Sequence, residues 1–269
     1  MLGKLLKYEF KASGRILLPI YLAVFIMGIL SSLFMKVPAG GLENLNVLRF
    51  LSVLFMVLYI VLIMVAVILS CFIAILRFKK NLFDCEGYLM NTLPVKSSEN
   101  IVSKLIVAVV YQILGMVVAM ISGILSYLIY FGTKGIDFKQ IINSFKMVFQ
   151  ELQGLTWVYS VEVVVLGILC FIAVNLMIYA AISIGHSANA RKVLKSVGAY
   201  IGLYFISQII NYTLVKIFFA IFKNMLHDLE SSNLIAIPYL TGIIILEALY
   251  CVGYFVLTDY FLKKKLNLQ

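Results

Sequence analysis

Two acidic residues, Glu162 and Glu247, lie inside long apolar runs of the chain, and no other side chains there have as much chemistry to offer. A charge at the centre of a bilayer costs at least ~2.5 kcal/mol unless it is paired or hydrated, so each acid needs a partner or a purpose. Glu162 and Lys216 fall at similar depth below the outer ends of their segments and can form an ion pair. Glu247 falls near the middle of its segment, level with Gln208 and Asn211 in the preceding one. That trio supports two readings. The acid is either held between helices by amide donors or part of the polar lining of a path across the membrane.

Spacing excludes several other chemistries. An ATP-cleaving P-loop needs Gly-x-x-x-x-Gly-Lys-Ser/Thr to cradle phosphates, and the only Gly-Lys pair here is Gly3-Lys4, followed by Leu5. His186 and His227 belong to no His-Glu-x-x-His pair that binds zinc and read as ordinary loop residues. Around Ser187, the run Gly185-His186-Ser187-Ala188-Asn189 lacks the second glycine of a nucleophile elbow. Cys71, Cys85, Cys170 and Cys251 are isolated from one another and read as small apolar fillers rather than as disulfide or metal ligands. No cofactor and no enzymatic activity are expected of this chain itself.

The elements that must position these groups follow from composition. With 63% hydrophobic and 13% charged residues and a mean hydropathy of +1.06, the chain lies outside the range of soluble domains. The expected fold is an all-α integral membrane protein, one domain over residues 1–269 with six transmembrane helices. Apolar runs place these at 16–35, 53–76, 101–131, 157–184, 197–222 and 234–262. The first run is longer than the apolar core of a signal peptide and many more follow it, so it is expected to remain in the protein.

Basic residues set the orientation. Lys4, Lys7, Lys11, Arg15, Arg77, Lys79, Lys80, Lys96, Lys104, Arg191, Lys192, Lys195 and Lys263 to Lys265 fall on one side. Only Lys36, Arg49, Lys134, Lys139, Lys146, Lys216 and Lys223 fall on the other. Both termini are therefore expected in the cytoplasm. The net charge of +10 reflects this topology, and no basic segment carries the interleaved aromatic pattern of a nucleic-acid binder.

Three polar segments remain. Residues 1–15 read as an amphipathic interfacial helix, with Lys4, Lys7, Lys11 and Arg15 at steps of three, four and four and with Leu2, Leu5, Leu6 and Phe10 opposite. A basic flank that only orients the first span fits the same residues. Glu9 projects into the apolar arc, where it needs a cation from this subunit or another. Residues 132–156 carry Ile141, Phe145, Val148 and Leu152 against Lys139, Gln140, Asn143, Lys146 and Gln150, an amphipathic helix on the outer surface that rests on lipid or caps an exit. Trp157 beside it suits the outer interface. In 77–100, Leu82, Cys85, Leu89 and Leu93 form a narrow apolar stripe, with Asp84 able to cap a helix and Pro94 to end it. Gly87 costs such a helix about 1 kcal/mol, so it needs a membrane surface or a partner protein to dock against.

The run Glu86-Gly87-Tyr88-Leu89-Met90-Asn91-Thr92-Leu93-Pro94 resembles the EGYL-x-x-TLP segment of ABC-transporter permease subunits, of the exporter-like class common in Gram-positive bacteria. The opening from Gly3 to Arg15 and the turn from Ser183 to Lys192 are similar to the same family. The resemblance implies a multi-pass protein of a bacterial cell membrane with six spans per subunit. Two such subunits form the pathway, as homodimer or heterodimer, and separate ATP-binding subunits hold ATP and Mg. It makes residues 1–15 an interfacial connecting helix. Asp84, Glu86, Gly87, Tyr88, Leu89, Thr92, Leu93 and Pro94 become the coupling segment to the ATPase, and His186, Arg191 and Lys192 a second cytoplasmic loop. The family also has a paired extracellular re-entrant element between the last two spans. Here only 223–233 separates them, with Pro238 and Gly242 able to break the start of the sixth.

Two other classes compete. An ATP-independent carrier or channel would show inverted repeats or discontinuous helices, and neither is clear. A membrane-embedded enzyme would need several titratable groups at one depth, and Glu247 alone is too little. Peptide, antibiotic, lipid and small-drug cargo all fit an aliphatic and aromatic lining.

Overall fold

The computed structural model of the protein describes residues 2–36, 45–83, 96–131, 143, 146–147, 155–187, 191–228 and 233–264. It is all-helical, with no strand among the described residues. The helices are α1 (Leu2–Lys36), α2 (Leu45–Phe83), α3 (Ser97–Phe131), α4 (Leu155–His186), α5 (Lys192–Asp228) and α6 (Asn233–Lys264). All six are long and apolar enough to cross a membrane. In hydrocarbon every backbone N–H and C=O must be satisfied within its own segment, which leaves helices as the form such apolar runs take. The chain is thus a multi-pass membrane protein.

The helices outrun the apolar spans. At 39 residues, α2 is about 58 Å long, well beyond the roughly 30 Å of hydrocarbon it must cross. Its extra turns are the polar ones from Arg77 to Phe83, which join the helix because Phe78, Leu82 and Phe83 bury one side of it. Helix α3 begins early for a similar reason. The Lys96 carbonyl accepts from the N–H groups of Glu99 and Asn100 at 2.9 and 3.3 Å, and Glu99 places a negative charge on the first turn, where the helix dipole favours it.

Two boundaries expected from sequence are corrected. The surface segment 1–15 and the span 16–35 are one continuous helix, because nothing between Ser13 and Arg15 interrupts the hydrogen-bond ladder. Pro19 consequently sits well inside α1 rather than in an opening turn. Likewise α5 continues through Lys223 to Asp228, and Pro238 and Gly242 both lie inside a continuous α6. The amphipathic sides of the N-terminal segment are as expected: Lys4, Lys7, Lys11 and Arg15 are exposed, while Leu5, Leu6 and Phe10 are half-buried. Glu9 is buried, 5% exposed. Of the outer amphipathic helix expected within 132–156, Asn143, Lys146 and Met147 are described, all helical and exposed.

The chain forms two compact units. One comprises Gly3–Ala74 and Ile106–Val148; the other comprises chiefly Ile75–Leu105 and Phe149–Gln269. Helix–helix association in lipid gains little from the hydrophobic effect and rests on close packing and hydrogen bonds. The first unit relies on both. Leu17, Tyr21 and Val24 of α1 pack with Ala66 and Ile73 of α2 and with Val107 and Tyr111 of α3, and Phe34 stacks on Phe55 at 4.3 Å. The Tyr21 hydroxyl donates to the Tyr111 carbonyl at 2.8 Å, and the Tyr111 hydroxyl to the Phe10 carbonyl at 2.8 Å. Ser126 donates to the Gly28 carbonyl at 2.7 Å, and the Tyr59 and Ser122 hydroxyls share a 2.7 Å bond.

Close approach explains the small residues. A Cβ on Gly14 would stand 2.5 Å from the Tyr111 hydroxyl oxygen. Gly14→Ala and Tyr111→Phe are therefore coupled. Tyr111→Phe alone should cost about 0.6 kcal/mol, the usual worth of such a bond in lipid. Gly14→Ala should cost more than that in the native protein and markedly less in the Tyr111→Phe background. Melting temperatures of the four proteins of the double-mutant cycle in one detergent measure the coupling; additive effects would contradict the contact.

In the second unit α4 is the central helix, packed on both α5 and α6. Its core joins Phe78, Leu82 and Phe83 of α2 and Ile101 of α3 to Leu176, Met177, Tyr179, Ala180 and Ile182 of α4 and to Tyr254 and Leu262 of α6. The Phe78 and Tyr179 rings stack at 3.9 Å with an interplanar angle of 6°. Some hydroxyls on these helices are satisfied locally: Ser183 donates to the Tyr179 carbonyl and Thr258 to the Tyr254 carbonyl, as hydroxyls on apolar helices do.

Candidate functional site

Helices α5 and α6 border a cavity of about 450 Å³. Asn211, Leu214, Val215 and Phe218 line it from α5, and Tyr239, Gly242, Ile243, Leu246 and Glu247 from α6. Both sets recur at steps of three and four, so each is one face of its helix. Aliphatic and aromatic groups make up most of the wall, and Glu247, Asn211 and Tyr239 are its hydrogen-bonding side chains. The Tyr250 hydroxyl lies 3.2 Å from Asn211 Oδ1 and 3.2 Å from the Ser207 carbonyl, which ties α6 to α5 and occupies the amide oxygen. Among the described residues Glu247 has no hydrogen-bond partner. Its carboxyl group borders open space. Gln208, expected to share this site, is exposed on α5 and outside the lining. Gln208 lies three residues, nearly a full turn, before Asn211, beyond the end of the α5 lining.

The second expected pair is corrected. Glu162 accepts the Thr241 hydroxyl through Oε1 at 2.8 Å, and its Oε2 is buried with no partner among the described residues. Lys216 instead places its ammonium 4.6 Å from the centre of the Tyr212 ring, four residues back on α5. That cation–π contact stabilises a charge without an acid. Glu162 thus joins α4 to α6, and further along the same two helices the Cys251 thiol lies 3.8 Å from the Leu169 carbonyl.

The proposed docking residues Asp84, Glu86, Gly87, Tyr88, Leu89, Thr92, Leu93 and Pro94 lie outside the described residues. Their flanks do not. The segment leaves α2 just after Leu82 and Phe83, which are 2% and 8% exposed, and α3 carries Ile101, at 0%, soon after its return. Phe78 is stacked on Tyr179, and the Phe83 ring stands 4.7 Å from the His186 ring. Sequence reasoning missed Phe78 and Tyr179 as a connection between helices; the apolar spacing of Phe78 and Leu82 among Arg77, Lys79 and Lys80 was the available signal.

His186 is also corrected. It is the last residue of α4, buried, with Nδ1 2.9 Å from the Ile182 carbonyl, and is not an exposed loop residue. The helix persists past Gly185 because that glycine lies against α5: a Cβ there would stand 2.6 Å from Ser196 Cα and closer still to Ser196 N and Oγ. Arg191 is exposed and adopts φ 52°, a left-handed turn, and its carbonyl receives the Lys195 N–H at 3.1 Å. It therefore caps α5. Lys192 is the first residue of that helix, and its carbonyl accepts from the Ser196 hydroxyl. No family model matches this chain, and no curated protein or solved structure matches it either.

Proposed function

We propose that this chain is the membrane-spanning permease subunit of an ATP-driven ABC transporter of the exporter class, in the cell membrane of a bacterium. It pairs with a second permease subunit and with separate ATP-binding subunits that hold ATP and Mg. The observation that carries this reading is how the segment from Asp84 to Pro94 is anchored. The segment bears the EGYL-x-x-TLP resemblance, and in the chain it follows the buried Phe78, Leu82 and Phe83 of α2 and precedes the buried Ile101 of α3. A push on it bends neither end independently. It is transmitted from Phe78 to Tyr179 and so to α4, the helix on which α5 and α6 pack.

In this mechanism ATP closes the ATPase dimer, the docked segments move with it, and the permease subunits shift between inward-open and outward-open populations. Tyr88, Leu89 and Leu93 supply contacts that differ between the two states, which coupling requires. The cavity bordered by Glu247 and Asn211 serves as polar lining along the path.

Mild-detergent purification followed by identification of bound subunits tests the assignment. A protein with a P-loop should accompany the chain. Vectorial solute movement by the chain alone in liposomes would favour an ATP-independent carrier instead. Glu247→Gln tests the cavity. ATP turnover by the reconstituted complex should fall roughly tenfold, the effect of about 1.4 kcal/mol on a barrier, at an unchanged melting temperature. A parallel fall in melting temperature would make Glu247 a structural link between helices.

A further inference from the structure

A cavity of about 410 Å³ opens within the second unit where the end of α2, the end of α4 and the first turns of α5 meet. Its wall is mainly aliphatic, formed by Ile75, Ile178, Ile182, Val193 and Val197; Lys79 is its only Lys or Arg among the described residues, and of its other polar side chains, His186, Ser196 and Tyr200, the first two already bond helix carbonyls. Lys79 is half-buried and has no ion pair or hydrogen bond among the described residues. Such a wall is a poor host for water, which needs two to four polar partners. It suits hydrocarbon, with an ammonium at hand for an anion.

Charge complementarity selects the occupant. Among the described residues no acidic side chain lines the cavity. Arg77 and Lys80 flank Lys79 on α2, and Arg191, Lys192 and Lys195 cluster where α5 begins. A free anion would leave the aliphatic wall uncovered, and a zwitterionic lipid would bring its own cation into this basic cluster. We propose that the cavity binds an anionic phospholipid, with an acyl chain between α2, α4 and α5 and the phosphate on Lys79. The site is independent of the transporter reading and goes beyond it. Occupied, it ties the last turns of α2 to the start of α5, just where the chain leaves for residues 84–95.

The test uses the full chain in detergent, with dioleoylphosphatidylglycerol and dioleoylphosphatidylcholine as probes and native mass spectrometry to count retained lipids. Wild type should retain the phosphatidylglycerol roughly fivefold better, the effect of one basic side chain near a lipid phosphate. Lys79→Gln should abolish that preference and Lys79→Arg should keep it. Val197→Trp, which fills the cavity from α5, should reduce retention of both lipids and reads the same site if Lys79→Gln fails to fold. Equal retention of the two lipids by wild type would overturn the proposal, as would an unchanged preference in Lys79→Gln. Displacement of phosphatidylglycerol by an equal concentration of inorganic phosphate would reduce the site to an ion site and overturn the lipid assignment.

Discussion

On the proposed assignment, Leu89→Asp should yield a chain that inserts, folds and melts like the native one but no longer holds the ATP-binding subunits. A carboxylate placed in an apolar docking cleft is left without a partner, and losses at such central contacts run to about 3 kcal/mol, roughly a hundredfold in affinity. Subunit stoichiometry after purification and ATP turnover of the remaining complex measure it. Leu82→Asp is the informative contrast. Leu82 begins the same apolar stripe but is 2% exposed in the core with Tyr179 and Ile101, so that change should abolish folding. If Leu89→Asp melts as low as Leu82→Asp, Leu89 is a core residue and docking is not its role.

Gly185→Ala should be the most damaging glycine-to-alanine substitution among the described residues, lowering stability by about 3 kcal/mol. The new Cβ meets the backbone of Ser196 as well as its movable hydroxyl. Relief requires α4 and α5 to part, and the connection is short: α4 ends at His186 and α5 starts at Lys192. The left-handed Arg191 within that connection is already the unusual conformation that makes the turn. Ser196→Ala removes the hydroxyl but leaves Ser196 N and Cα in place, so it should not rescue Gly185→Ala. Melting temperatures of the single and double variants decide this; full rescue would mean that the contact is with the side chain alone.

The six helices were legible because apolar runs of this length have one stable form in lipid. Their ends were not, since hydropathy falls where the chain meets polar surroundings, whereas helical hydrogen bonding continues as long as one side can be buried. Phe78, Leu82 and Phe83 carry α2 past three basic residues for that reason. Among the site residues, depth could be counted along each span but rotation about its axis could not. Asn211 and Glu247 meet at one cavity, while Gln208, nearly a turn before Asn211 on α5, falls beyond its lining. Glu162 and Lys216 failed to pair on the same account, with Thr241 and Tyr212 as nearer partners. The Phe78–Tyr179 stack joins residues about a hundred positions apart; the spacing of Phe78 and Leu82 signals a buried side of α2 but not which residue covers it.

The cross-helix bonds of the first unit also foretell how that unit tolerates sequence drift. Tyr21, Tyr111 and Ser126 each direct a hydroxyl onto a main-chain oxygen, at Tyr111, Phe10 and Gly28 respectively. Every residue type presents the same carbonyl, so the receiving positions can exchange side chains without forfeiting the link, within the space their neighbours leave. Only the giving side is written in the genetic code, and a substitution there has no counterpart across the interface that could restore it.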